Sequence, residues 1–134
     1  MSTRSNIAKV NDNGTVSVIY CHYDGYVNGV GKILAEHYTD EAKVDELIEL
    51  GDLSILGKEI GEKHDFDATI NPNWTKAYGR DRGEADVYAA VYTSVDEYIH
   101  DVDSDDAIEY VYVFGNGEWT VYSNHLVVSP VLLK

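Results

Sequence analysis

Ile108-Glu109-Tyr110-Val111-Tyr112-Val113-Phe114, then Gly115-Asn116-Gly117, then Glu118-Trp119-Thr120-Val121-Tyr122: two runs of β-branched and aromatic residues around a Gly-Asn-Gly turn predict a β-hairpin. Val111, Val113, Val121 and Trp119 are expected to share its core side, with Glu109 and Glu118 at its polar ends. A second hairpin is predicted near the start, where Asn11-Asp12-Asn13-Gly14 separates Asn6–Val10 from Thr15–Tyr23. Between these hairpins the period changes. Val30, Ile33, Leu34 and His37 or Tyr38 recur every three or four residues, as a helix requires.

Thr39-Asp40 starts a second helix with acidic residues in its first turn, Val44, Leu47 and Ile48 as its apolar stripe, and Gly51 as its stop. Leu53, Ile55 and Leu56 suggest a short third helical piece, and Gly61 to Gly83 reads mostly as loop. Ala85 to Tyr92 is apolar on both faces of a strand, which places it at the centre of a sheet. Ser94-Val95-Asp96-Glu97 fits a capping box opening a helix with Val95, Tyr98, Ile99 and Val102 on its buried side. The element order gives an α+β class, a mostly antiparallel sheet with helices packed on one face. Tyr88, Tyr92, Tyr110, Tyr112, Trp119 and Tyr122 then crowd a sheet whose other face is expected to be open.

With 134 residues, 44% apolar, 25% charged and only two prolines, the chain is expected to form one domain spanning 1–134. Its 24 acidic against 10 basic side chains give a charge of −14, which argues against direct nucleic-acid or anionic-membrane binding and leaves solubility or a basic protein partner as the roles of that charge. A second copy of the chain is a further possible partner. The single Cys21 cannot form an internal disulfide and lies in an apolar strand. No signal-like or membrane-spanning apolar run is visible, so a cytoplasmic location is expected.

Several clusters invite chemistry. His22 and Asp24 could share a strand face and, with His64, Asp65 and Asp67, suggest metal ligation, yet they lack the paired spacing of a metal site, and no cofactor is expected. Gly25 to Lys32 ends in Gly-Lys like a phosphate loop, but Tyr26 and Ile33 occupy positions that loop needs for Gly and Ser/Thr. The glycines then serve a tight strand-to-helix turn, with free amides as a weak anion site. Arg80-Asp81-Arg82-Gly83-Glu84 is more unusual: from 83 to 133 the chain holds ten acidic residues and neither Lys nor Arg. Its arginines either pair internally or present a fork to an anionic ligand. Asp24, Tyr26, Arg80, Asp81 and Arg82 are therefore the expected ligand-binding residues. Asp103, Asp105 and Asp106, in the acidic run after the Ser94 helix, are the expected partner-binding residues, either solvated surface or mimics of nucleic-acid charge.

Ser2-Thr3-Arg4-Ser5-Asn6-Ile7, Ile19-Tyr20-Cys21-His22-Tyr23-Asp24-Gly25-Tyr26 with Gly29 and Gly31, and Tyr78-Gly79-Arg80-Asp81-Arg82-Gly83-Glu84 resemble a family of small phage and prophage proteins over most of the chain. That family usually has Trp where this chain has Tyr23, and Pro where it has Val27. The resemblance implies a viral accessory protein working in a bacterial cytoplasm and carries no activity or catalytic residue with it. Two function classes follow: a non-enzymatic protein that binds and modulates a host or defence factor, or a binder or hydrolase of a small nucleotide-like anion.

Overall fold

Strand β1 (Ser5–Val10) lies between β2 (Val16–Cys21), antiparallel to it, and the distant segment Tyr110–Gly115, parallel to it. The computed structural model describes residues 3–68, 71–102, 107–123 and 131–132. After β2 a π-helical turn, Val27–Gly31, runs into α1 (Lys32–His37), followed by α2 (Glu41–Leu50) and β3 (Leu53–Ile55). Then come β4 (Lys76–Ala77), α3 (Tyr78–Arg82), β5 (Ala90–Tyr92), α4 (Val95–Val102), β6 (Tyr110–Gly115), β7 (Glu118–Ser123) and β8 (Val131–Leu132). The sheet runs β4-β3-β2-β1-β6-β7-β8, with β5 pairing β2 beside it.

The fold is α+β. Both hairpins form as the turn residues require: Ile7 faces Ile19 in the first, and Phe114 faces Trp119 in the second. The sheet is mixed rather than mostly antiparallel, because β1 pairs parallel with β6 and β2 parallel with β3. A parallel neighbour needs a long crossover, and the whole helical middle of the chain supplies it between β1 and β6.

Alternation along the strands divides the core into two layers. Ile7, Ile19, Tyr112 and Trp119 pack with Leu34 of α1 and with Val44 and Leu47 of α2. Ala8, Val16, Val18, Val111 and Val113 pack on the opposite face against Tyr98, Ile99 and Val102 of α4. Helices therefore cover both faces, not one. The cause is visible in β6, where Val111, Tyr112, Val113 and Phe114 are all buried, so each face needs its own cover. The expected common face of Val111, Val113, Val121 and Trp119 divides for the same reason: Val121 lies opposite Tyr112, while Val111 lies opposite Tyr122.

The helical caps form as read. Asp40 accepts from the Ala42 amide at 3.2 Å, and Ser94 accepts from the Glu97 amide at 3.1 Å. Gly51 ends α2 with φ +79°, and a Cβ there would sit 2.2 Å from the Val87 carbonyl, so only glycine fits. That sharp reversal sets Leu53 beside Cys21, which is why Leu53–Ile55 forms a strand in place of the expected helical piece. Residues 61–68 and 71–75 are largely irregular, as expected of this stretch, but β4 and α3 close it. The segment Ala85–Tyr92 is not central: only Ala90–Tyr92 pairs, on the edge of β2, and Tyr88 and Val91 are 75% and 65% exposed. Cys21 is a free, buried thiol, and burial pushes it up to about 12. No helix of the described residues is long and apolar enough to cross a membrane.

Trp119 is 3% exposed, and its indole N–H donates to the Tyr38 carbonyl at 2.8 Å, tying β7 to the end of α1. Trp119→Ala should cost about 3–5 kcal/mol in a urea melt, while Tyr88→Ala should stay within about 0.5 kcal/mol. An unchanged midpoint for the tryptophan variant would contradict this packing.

Candidate functional site

Arg80 and Asp81 face inward. The Asp81 carboxylate, its side chain fully buried, accepts from the His64 and Ala77 amides at 3.1 and 2.9 Å and from the Arg80 guanidinium at 2.9 and 3.1 Å. Arg80 also donates to the Ile60 and Thr75 carbonyls, each at 2.8 Å. Four of its five N–H donors are thereby engaged. Burial pushes the Asp81 carboxyl up, but the Arg80 bonds and the two amides outweigh it and hold the group below its ordinary value of 3.8. These bonds close the irregular loop over α3.

Asp24 and Tyr26 lie elsewhere. The Tyr26 hydroxyl donates to Asp24 at 3.4 Å, and no hydrogen bond or ion pair joins either residue to Arg80, Asp81 or Arg82. Asp24 takes a left-handed conformation, φ 59°, and its carbonyl accepts from the Val30 amide at 2.8 Å. The Gly29 and Gly31 amides donate to the Tyr26 carbonyl at 2.9 and 3.5 Å. The amides read as a weak anion site are thus spent within the turn, and a Cβ at Gly29 would meet the Asp24 carbonyl at 2.3 Å. The His22 Nδ1 bonds the Tyr20 hydroxyl at 2.6 Å. Among the described residues no group of three or more His, Cys, Asp or Glu side chains is placed to hold a metal ion.

Arg82 turns the other way. Its guanidinium lies 4.6 Å from the Phe66 ring and 4.7 Å from the Tyr78 ring and pairs with Glu84. It lines a cleft of about 380 Å³ with His22, Tyr23, Phe66, Asp67, Lys76 and Tyr78, so two cations and one exposed carboxylate meet there. Of the five expected ligand residues, Arg82 is the one that lines this cleft; Asp24 and Tyr26, shortly after Tyr23 in sequence, do not line it.

A second cleft, about 240 Å³, opens between β5, the end of β2 and α4, where Tyr20, Asp52, Tyr88, Tyr92, Tyr98 and Asp101 meet. Asp52 accepts from the Tyr20 amide at 2.9 Å, and the Tyr92 hydroxyl donates to Asp101 at 3.1 Å. Burial raises the Asp52 carboxyl above its ordinary value, with Glu84 adding to the rise. Burial likewise raises the Tyr92 phenol, helped by Asp101, and the Tyr20 phenol, where neighbouring Arg4 offsets part of the effect. Among the described residues no Lys or Arg lines this cleft. Asp96 and Glu97 are exposed on the adjoining helix α4. Asp103, Asp105 and Asp106, the expected partner-binding residues, lie outside the described residues, just beyond the end of α4.

A wider depression of about 500 Å³ at the hairpin tips, lined by Asn11, Asp12, Glu41 and Asn116 among others, has no cation and no exposed ring. Reading the sequence alone passes over Asp52, Lys76, Phe66 and Tyr78, since each meets its cleft partners only through the fold. Tyr88 and Tyr92 were visible as part of the aromatic excess. No protein-family model, curated protein or solved structure matches this chain.

Arg80→Ala would leave the Asp81 carboxylate buried and short of its cation, which should cost about 3–5 kcal/mol in chemical unfolding. Because the folded value of Asp81 is lowered, its contribution is full well above 3.8 and is lost as pH falls through the lower folded value. Asp81→Asn should therefore lower stability at neutral pH and flatten the acid side of the stability profile. An acid limb identical to that of the unmodified chain would remove Asp81 from this role.

Proposed function

We propose that this protein is a non-enzymatic binding protein whose acidic, tyrosine-bearing face engages a basic protein, as a phage-type accessory factor modulating a host or defence protein in the bacterial cytoplasm. The observation that carries the reading is the cleft of Tyr20, Asp52, Tyr88, Tyr92 and Asp101. Carboxylates beside phenol rings suit a lysine or arginine side chain, which gains an ion pair and a cation–π contact in one place. Tyr88, 75% exposed on an edge segment, has the size and rigidity of an interface anchor. The exposed acids of α4 and the charge of −14 add long-range attraction that raises the association rate.

The test is capture of basic proteins from a bacterial lysate on the unmodified chain and on two variants, followed by association kinetics with the retained protein. Tyr88→Ala should weaken capture about tenfold or more, as loss of an anchor does. Changing Asp101, Asp103, Asp105 and Asp106 together to Asn should slow association and flatten its salt dependence. Arg82→Ala should leave both unchanged. Retention of no basic protein, or of one indifferent to both variants, would defeat the reading.

A further inference from the structure

We propose that the cleft around Arg82 is a separate binding site for a small planar anion, an aromatic ring carrying a phosphate or carboxylate. It does not depend on the acidic face. The chain carries ten Lys and Arg residues against 24 Asp and Glu, yet Lys76 and Arg82 both line this cleft of about 380 Å³, where Asp67 is the one lining carboxylate among the described residues. The volume is that of a small-molecule site.

The two cations stand differently from others in the chain. Lys9 is paired with Asp45 and Glu41, and Lys43 donates to the His37 and Lys58 carbonyls at 2.7 and 2.9 Å. Lys76 is half-buried and, among the described residues, its ammonium has no hydrogen bond or ion pair; its one partner is the Phe66 ring, 6.0 Å away. A half-buried lysine whose ammonium faces no anion, in so acidic a chain, marks a place where an anion from outside is stabilised. Arg82 has an internal partner in Glu84, but both side chains are substantially exposed, so that pair is weak and exchangeable. Glu84 occupies the place a ligand anion would take.

The walls supply the planar part of the specificity. Phe66 and Tyr78 stack at 5.6 Å with 26° between their planes and hold the Arg82 guanidinium against them. Across the cleft Tyr23 is 44% exposed, and His22 meets its ring edge-on at 4.5 Å while itself bonded to Tyr20. The Tyr23 ring is thus an open platform whose neighbour is fixed, and rings of this kind hold flat ligands by stacking. An anion bridging Lys76 and Arg82 would place its attached ring beside Tyr23.

The experiment titrates the chain with adenosine monophosphate, adenosine and inorganic phosphate, following amide shifts by NMR. The nucleotide should shift Tyr23, Ser54, Lys76, Tyr78 and Arg82 and bind at least about tenfold more tightly than either half alone, since ring and charge are each recognised. Lys76→Ala and Arg82→Ala should each weaken it about tenfold. Glu84→Gln should tighten it severalfold by removing the competing carboxylate, a gain that general damage to the fold cannot mimic. Lys63→Ala, an exposed lysine outside the cleft, should change nothing. No shift at about 10 mM nucleotide, equal binding of adenosine, or a Glu84→Gln variant no tighter than the unmodified chain would overturn the proposal.

Discussion

Everything in this structure hangs on the pairing of β1 with β6, two strands a hundred residues apart in sequence and buried on both faces. Ile7 lies between Ile19 and Tyr112 on one side of the sheet, while Ala8 lies between Val18 and Val113 on the other. Two apolar faces need two covers, because an uncovered central strand would leave apolar area in water at about 25 cal/mol per Å². α1 and α2 supply one cover and α4 the other. Polar bonds then fix the layers: the Tyr112 hydroxyl donates to the Gly25 carbonyl at 2.6 Å, and Trp119 donates to Tyr38. Burial pushes the Tyr38 phenol up to about 12, so it stays neutral and keeps donating to Gly57 at 2.8 Å. Because α4 is short and β5 pairs for only three residues, the second cover is incomplete. The tyrosine cleft is the gap that remains.

The Arg80-Asp81-Arg82 motif shows how one five-residue helix serves two purposes. Successive helical residues point about 100° apart, so Arg82 leaves α3 in a different direction from Asp81. Asp81 points into the loop closure and gathers four donors, and Arg80 bends over to meet it. Arg82 emerges on the outer side against Phe66 and Tyr78. The buried pair ties Ile60, His64, Thr75 and Ala77 to α3, and so holds the neighbouring Phe66 and Lys76 in place. The inward half of the motif therefore builds the wall that the outward half uses.

What was legible in the sequence was local. The two turns, the Asp40 and Ser94 caps, the Gly51 stop and the 3.6-residue stripes each depend on residues within a few positions, and each forms where read. What was illegible was assembled at long range. Leu53 becomes a strand because it meets Cys21, 32 positions earlier, and the same separation joins Tyr20 to Asp52. The run Ala85–Tyr92 alternates well enough for a buried strand, but the edge it could join offers room for three residues only. At the site, composition showed that two arginines stood alone before an acidic half; only the fold shows that one of them is saturated and the other is not.

An anion-binding cleft of the proposed kind would be compatible with a charge of −14, because the two act over different distances. Net charge governs the approach of large partners, whose many charges sense the summed field, and it disfavours phosphate backbones as a class. At physiological ionic strength that field fades over about 8 Å. A small ligand inside a cleft responds to the groups touching it, and there Lys76 and Arg82 stand beside the Phe66 and Tyr78 rings. The same argument separates the two clefts by ligand sign. One gathers carboxylates and phenols with no lining cation among the described residues; the other gathers the half-buried, unpaired lysine and an arginine whose partner is exchangeable, against the one carboxylate of Asp67. Under the two proposals, such a division of charge between two surfaces of a small domain would let each attract its own class of ligand while disfavouring the other's.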